Sequence, residues 1–127
     1  MGFRSTVIFG VKKDYQQKVF DILNKYDLND VFESGVRTYG WTEYDKTPNI
    51  KHTEYYAIFK ADDIKWYEGY PYVDEVEGLI YNLINEDEEN AFMVCLGEDS
   101  IIHGEQGFWW DYVNHVSELQ IIDNTDF

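Results

Sequence analysis

Two different spacings of apolar residues alternate along this chain, and the alternation limits the fold to a mixture of helices and strands. Residues 14–26 and the segment after Pro71 carry apolar side chains three and four positions apart, the period of one helix face. The runs around them are short and rich in β-branched and aromatic residues, which favour strands. The sequence therefore predicts an α+β fold in which two or three helices pack on one face of a mainly antiparallel sheet.

The predicted elements follow the order β-α-β-β-α-β-β, for which a ferredoxin-like arrangement is one candidate topology. Strands are expected at five places, which are residues 5–11, 35–45, 52–60, 91–96 and 101–103. The second and third of these strands should form a long hairpin, because the connector that contains Pro48 and Asn49 favours a turn.

The second helix is predicted to begin near Pro71, because proline is favoured at the first helical position. Its period turns five apolar residues inward, namely Val73, Val76, Ile80, Leu83 and Ile84. The same period turns Asp74, Glu77 and Tyr81 outward.

The spacing of apolar and aromatic residues in the tail of the chain is compatible with both a helix and a strand. Helical spacing relates Trp109, Tyr112, Val113, Val116 and Leu119, whereas Phe108, Trp110 and Tyr112 alternate as they would in a strand. We expect a helix here.

Length and composition predict a single domain over residues 1–127. The chain is 44% hydrophobic and 18% aromatic, which excludes a wholly disordered protein. Cys95 lies in an apolar run, and as the single cysteine it indicates a buried, inert thiol in a reducing compartment. Because no stretch approaches the roughly 20 apolar residues of a membrane span, and the N-terminal run is too short for a signal peptide, we expect a cytoplasmic protein without membrane contact.

Charge is divided unevenly between the two halves of the sequence. The formal net charge is −15, from 25 acidic and 10 basic residues. Residues 1–65 contain every lysine and arginine and are formally neutral, whereas residues 66–127 contain fifteen acids and no lysine or arginine. Such asymmetry indicates a charged partner, which here would be basic.

No catalytic motif is recognisable in the sequence. His52, His103 and His115 accompany no nucleophile elbow, and the glycines match no phosphate-binding pattern. Asp111, His115 and Glu118 would share one face of a helical tail, but a solvated polar face explains them better than a metal site does. We therefore predict no catalytic residues, no metal and no cofactor, and a protein that is not an enzyme.

The favoured hypothesis is a binding protein that inhibits a basic, nucleic-acid-binding partner and binds no nucleic acid itself. Carboxylates on regular elements have spacings close to those of phosphates, so the chain could imitate DNA in the manner of phage anti-restriction or anti-CRISPR inhibitors. Glu86 and its acidic neighbours lie where a helix dipole disfavours anions, which suggests selection for the charge itself. The predicted contact residues are Trp66, Tyr70, Asp74, Glu75, Glu77, Tyr81, Glu86, Asp87, Glu88, Glu89, Glu98 and Asp99.

Three alternatives remain open at this stage, of which a regulatory subunit of a basic complex is the least specific. An immunity or antidote protein against a basic toxin would need the same acidic face. A small-ligand-binding or enzymatic α+β domain would instead contain a deep pocket, in which carboxylates with raised pKa values face a histidine.

Overall fold

The computed structural model describes residues 4–115 and 118–122. Its seven strands are β1 (Ser5–Lys12), β2 (Glu33–Glu43), β3 (Ile50–Ile64), β4 (Ala91–Gly97), β5 (Ile102–Gln106), β6 (Val113–His115) and β7 (Leu119–Ile121). Its two α-helices are α1 (Gln16–Lys25) and α2 (Pro71–Glu86). Single 3-10 turns occupy Lys13–Tyr15, Glu88–Asn90 and Trp109–Asp111.

Strands β1 to β5 form one antiparallel sheet in the order β2-β3-β1-β4-β5. Both α-helices pack on the same side of it, so the predicted α+β fold is confirmed. The ferredoxin-like topology stays a prediction. The hairpin of β2 and β3 is confirmed as well, and its strands pair from Glu33 with Lys60 to Glu43 with Ile50.

Each face of the sheet has its own hydrophobic core, because alternate residues of a strand point to opposite sides. On the helix face, residues of β1, β3 and β4 meet both helices, and the buried side chains include Phe9, Val19, Leu23, Phe59, Val76, Ile80 and Met93. On the opposite face, which we call the hairpin face, β6 and β7 cover Ile8, Tyr39, Tyr56, Phe92 and Val94. The sheet therefore separates two chemically independent surfaces.

Helix α2 follows the predicted pattern on its buried side. It begins at Pro71, and Val73, Val76, Ile80 and Leu83 are buried. Each of these burials contributes about 1.5 to 3 kcal/mol relative to exposure. Beyond its end at Glu86, the buried side chain of Asn90 donates to the carbonyl oxygen of Leu83 at 2.9 Å and satisfies one of the last acceptors of the helix.

Gly10 lies at the centre of the hairpin face. A Cβ at this position would lie 2.4 Å from a ring atom of Phe92 and 2.7 Å from Cδ1 of Ile58, so no side chain fits there. The Phe92 ring lies over this gap and stacks on Tyr112 with ring centroids 4.3 Å apart. The absence of a side chain at Gly10 thus leaves room for the Phe92 ring, and the Phe92 ring in turn supports Tyr112.

The prediction of a helical tail is wrong. Strands β6 and β7 form a separate two-stranded sheet, in which Val113 pairs with Ile121 and His115 with Leu119. Val113 and Leu119 are buried on the hairpin face, which two short strands can cover with alternate side chains. Val116, one residue of the predicted helix face, lies outside the described residues. Asp111, His115 and Glu118 consequently share no helix face.

Within the described part of the chain, no helix has the length and apolar character needed to cross a membrane.

Candidate active site

A pocket of about 540 Å³ lies on the helix face, between α2 and the edge strand β5. We call it the Glu77 pocket. Residues of β1, β4, β5, α2 and the connector after β3 line it, namely Ser5, Trp66, Tyr67, Glu68, Glu77, Met93, Cys95, Asp99, His103, Gly104, Glu105 and Gln106. Elements distant in sequence therefore converge on one cavity.

Trp66 covers one side of the Glu77 carboxylate. The chain turns over the helix face directly after β3, and the hydroxyl group of Tyr72 donates to the carbonyl oxygen of Lys65 and fixes this turn. Trp66 is only 9% exposed, and its ring packs against Phe32 and Tyr72. Its indole Nε1–H donates to Oε2 of Glu77 at 2.9 Å, so the carboxylate has a fixed orientation.

Glu77 was predicted to point outward, and this prediction is wrong because Trp66 folds over it. Burial raises the pKa of the Glu77 carboxyl above its ordinary value of 4.5. The negative charges of Asp74 and Glu68 raise it further, and the hydrogen bond from Trp66 acts in the opposite direction. A carboxyl group whose pKa moves toward neutrality is better suited to accept and return a proton.

His103 enters the pocket through an irregularity of the edge strand. Cys95 pairs with Gly104 and Leu96 pairs with Ile102, so His103 is the extra residue of a bulge in β5. Bulges redirect side chains and are common beside active sites. Asp99 holds the imidazole, with its two carboxylate oxygens 3.0 and 2.9 Å from Nε2 of His103.

Two further contacts fix the floor of the pocket. The side-chain amide of Gln106 donates to the carbonyl oxygen of Glu77 at 3.2 Å and ties β5 to α2. Cys95 is buried, and burial raises the pKa of its thiol although a hydrogen bond with Ser5 acts against this. The thiol is therefore protonated at neutral pH and contributes packing rather than nucleophilic chemistry.

The charge of the lining selects for cations. Glu68, Glu77, Asp99 and Glu105 line the pocket, and the lining residues that the structure describes include no lysine or arginine. Such a field disfavours phosphates and carboxylates as ligands and concentrates cations. Trp66 and Tyr67 add aromatic surface, which attracts organic cations in particular.

Several of the predicted contact residues make hydrogen bonds within the chain. Glu75 accepts from Nζ of Lys25 at 3.0 Å and from the hydroxyl group of Tyr26. Asp74 accepts from the backbone N–H of Gly69, and Glu98 from that of Arg4. Asp87 accepts from the N–H of Glu89, and Asp99 contacts His103.

The other predicted contact residues are Tyr70 before α2, Tyr81 on it, and Glu86, Glu88 and Glu89 at or just after its end. Tyr81 is 60% exposed on α2, whereas Glu86 and Glu88 are exposed near its C-terminal end. Tyr70 packs against Tyr67 and Tyr72 before the helix begins. Of the twelve predicted residues, the structure brings only Trp66, Glu77 and Asp99 together in this pocket.

Sequence reasoning missed the residues that edge strand β5 supplies, namely His103, Gly104, Glu105 and Gln106. The signal available for them was weak. Gly104 and Gly107 flank a short polar segment, which is compatible with an irregular edge strand but gives no partner across the sheet.

No family model matches this chain, and no curated protein matches it. Two solved structures are similar to it. One is a phage SAM lyase in complex with S-methyl-5'-thioadenosine, with 10% identity, a TM-score of 0.48, and coverage of 87% of this chain and 94% of that one. The other is a phage SAM lyase in the apo state, with 11% identity, a TM-score of 0.42, and coverage of 85% and 91%.

These observations correct two predictions, namely that the chain is not an enzyme and that it inhibits a basic partner by imitating DNA. Both similar structures are enzymes. Two features of the enzymatic alternative occur among the residues that line this pocket, namely a carboxyl of raised pKa at Glu77 and an imidazole at His103.

Proposed function

We propose that this chain is an enzyme that binds a small organic cation in the Glu77 pocket. The observation that carries the proposal is the half-buried Glu77 carboxyl, which Trp66 orients inside a cavity lined by acids and aromatic rings. The volume of about 540 Å³ suits a ligand of nucleoside size, because small-molecule sites span roughly 300 to 1,000 Å³.

Glu77 would accept a proton from the carbon beside the one that carries the sulfur of a sulfonium substrate. The C–H electron pair would form a C=C bond, the C–S bond would break, and its electron pair would leave the sulfur neutral. The raised pKa of Glu77 makes it a stronger base than an ordinary carboxylate, and the hydrogen bond from Trp66 leaves its second oxygen available to substrate. The positive charge of the ligand would favour the ionised carboxylate, so binding itself would generate the basic form. Asp99 would fix the His103 ring on another wall of the pocket.

S-adenosylmethionine is the first substrate to test. It contains a sulfonium, an ammonium group and an aromatic base, and its net charge stays positive although it also carries one carboxylate, so it suits an acidic, aromatic lining. The two similar structures are SAM lyases, which makes it an obvious probe. S-adenosylhomocysteine is the matched neutral compound, because it lacks only the methyl group and the positive charge.

The experiment compares the binding of both compounds by titration calorimetry and follows release of S-methyl-5'-thioadenosine by chromatography. We expect S-adenosylmethionine to bind about tenfold or more tightly than its neutral analogue. Glu77→Gln should reduce turnover by about a hundredfold or more, the usual contribution of a general base. Glu86→Gln makes the same charge change outside the pocket and should leave both quantities unaltered.

Equal affinity for the two compounds would contradict recognition of the cation. Unaltered turnover in Glu77→Gln would contradict the role of Glu77. Absence of both binding and turnover at millimolar S-adenosylmethionine would reject this sulfonium as the substrate.

A further inference from the structure

A second pocket, of about 350 Å³, lies on the hairpin face, on the opposite side of the sheet from the Glu77 pocket. Four aromatic side chains line it, namely Tyr39, Trp41, Tyr56 and Tyr112, and we call it the Tyr112 pocket. We propose that the Tyr112 pocket binds a quaternary ammonium group. This site is separate from the proposed active site and requires none of its residues.

The rings that line the Tyr112 pocket pack against one another and against neighbouring rings. The Tyr112 ring lies 4.8 Å from both the Tyr39 and the Tyr56 rings, and it is perpendicular to Tyr39. Trp41 is 44% exposed, yet its ring stacks on His52 with centroids 4.6 Å apart and planes within 10°. Aromatic walls that are already ordered lose little conformational entropy when they enclose a cation.

Three carboxylates give the pocket its charge. Glu54, Glu89 and Asp111 line it, whereas no lysine or arginine occurs among its described lining residues. Nζ of Lys12 lies 4.0 Å from Glu54 and compensates part of that charge. The combination of aromatic faces with net negative charge is the one that recognises quaternary ammonium ligands.

The hydroxyl groups of the pocket favour a cation without N–H donors. Tyr112 donates to the hydroxyl oxygen of Tyr56 at 3.0 Å, and Tyr56 donates to the carbonyl oxygen of Glu89. Burial raises the pKa of both phenols, so both hydrogen bonds persist at neutral pH. Because these hydroxyl groups are engaged with one another, a ligand that binds through diffuse charge suits the pocket better than a primary ammonium group does.

The test uses choline as the probe and 3,3-dimethyl-1-butanol as its neutral carbon analogue. Binding is followed by ¹H–¹⁵N NMR on the indole N–H signals of the tryptophans, at constant ionic strength. Choline should shift the Trp41 signal in a saturable manner, and the neutral alcohol should bind about tenfold more weakly. Trp66 lies on the other face and reports any separate binding of this cation to the Glu77 pocket, so the Trp41 and Trp66 signals should saturate at different choline concentrations.

Two variants locate the site. Trp41→Leu should weaken choline binding about tenfold, whereas Trp110→Leu, which removes a similarly exposed tryptophan outside the pocket, should not. Asp111→Asn tests the charge without removing a ring, and it should weaken choline but not the neutral alcohol. Equal binding of the two probes, an unaltered affinity in both Trp41→Leu and Asp111→Asn, or a shift of the Trp66 signal without one of the Trp41 signal would overturn the proposal. Glu77→Gln should retain choline binding, so this result is independent of the proposed enzymatic function.

Discussion

The two faces of the sheet carry pockets of similar composition but different acid–base character. On the helix face the half-buried ionisable group is the Glu77 carboxyl, whose raised pKa brings its titration toward neutral pH. On the hairpin face the corresponding groups are the phenols of Tyr56 and Tyr112, whose raised pKa values keep them neutral. The same physical effect, burial, therefore prepares one pocket to exchange protons and prevents the other from doing so.

The comparison shows why acidic composition alone predicted the wrong function. A carboxylate on an exposed surface contributes mainly to the long-range field, whereas one enclosed beside a tryptophan becomes a chemical group with its own pKa. The difference depends on what covers the side chain. Glu77 and Glu86 lie on the same helix, and only Glu77 is covered.

Tyr56→Phe should have the largest effect on stability and tests whether the hairpin face depends on its hydroxyl network. The change leaves the Tyr112 hydroxyl and the Glu89 carbonyl oxygen without their partner, so we expect a loss of about 1 to 3 kcal/mol in the free energy of unfolding. Urea denaturation measures this loss. Tyr55→Phe is the control, because Tyr55 is 53% exposed on the same strand. Equal stabilities of the two variants would show that the hydroxyl network contributes nothing.

Glu77→Gln should have a smaller effect that depends on pH. Because the native pKa of Glu77 is raised above 4.5, the folded protein holds this proton more strongly than the unfolded chain does. Its contribution to stability therefore falls as pH rises from the ordinary pKa to the native one, and glutamine removes this loss. The variant should gain stability relative to wild type across that window, and the difference should be constant at higher pH.

Urea denaturation at a series of pH values measures this difference, with Glu86→Gln as the matched carboxyl outside both pockets. A difference between Glu77→Gln and wild type that does not vary with pH would contradict the burial of Glu77.

Glu86→Lys should have the smallest effect and should leave both pockets unaltered. Glu86 is the last residue of α2, where the helix dipole favours a cation, so lysine should stabilise the fold by about 0.3 to 1 kcal/mol. The gain should shrink at high salt, and thermal unfolding at two salt concentrations measures it. Altered binding of S-adenosylmethionine or choline in this variant would show that the general acidity of the chain, rather than the two pockets, determines ligand affinity.

Much of the fold was predictable because its signals are local. The apolar stripe of α2 identified Val73, Val76, Ile80 and Leu83 as buried, and Pro71 marked the start of the helix. The tail was not predictable, because Trp109, Tyr112 and Val113 satisfy a helical and a strand period equally well. What decides between them is the hairpin face of the sheet, which Val113 and Leu119 cover.

The candidate site was less predictable, because its residues meet through contacts that are distant in sequence. Glu77 borders the apolar stripe of α2, and its burial depends on Trp66, which the connector after β3 supplies. His103 depends on a bulge in β5 that the strand period does not reveal. The charge asymmetry of the sequence is also offset in part in space, since Lys25 of the neutral half pairs with Glu75 of the acidic half.

Gly10 has a consequence for how such a protein can evolve. An alanine there would displace the Phe92 ring, which supports Tyr112 and thereby one wall of the Tyr112 pocket. Selection on ligand affinity would therefore act on a residue that touches no ligand. In a mutational scan, substitutions at position 10 would reduce affinity as substitutions of the lining residues do. In this chain, the shape of the Tyr112 pocket depends partly on the absence of a side chain at Gly10, in the middle of the sheet.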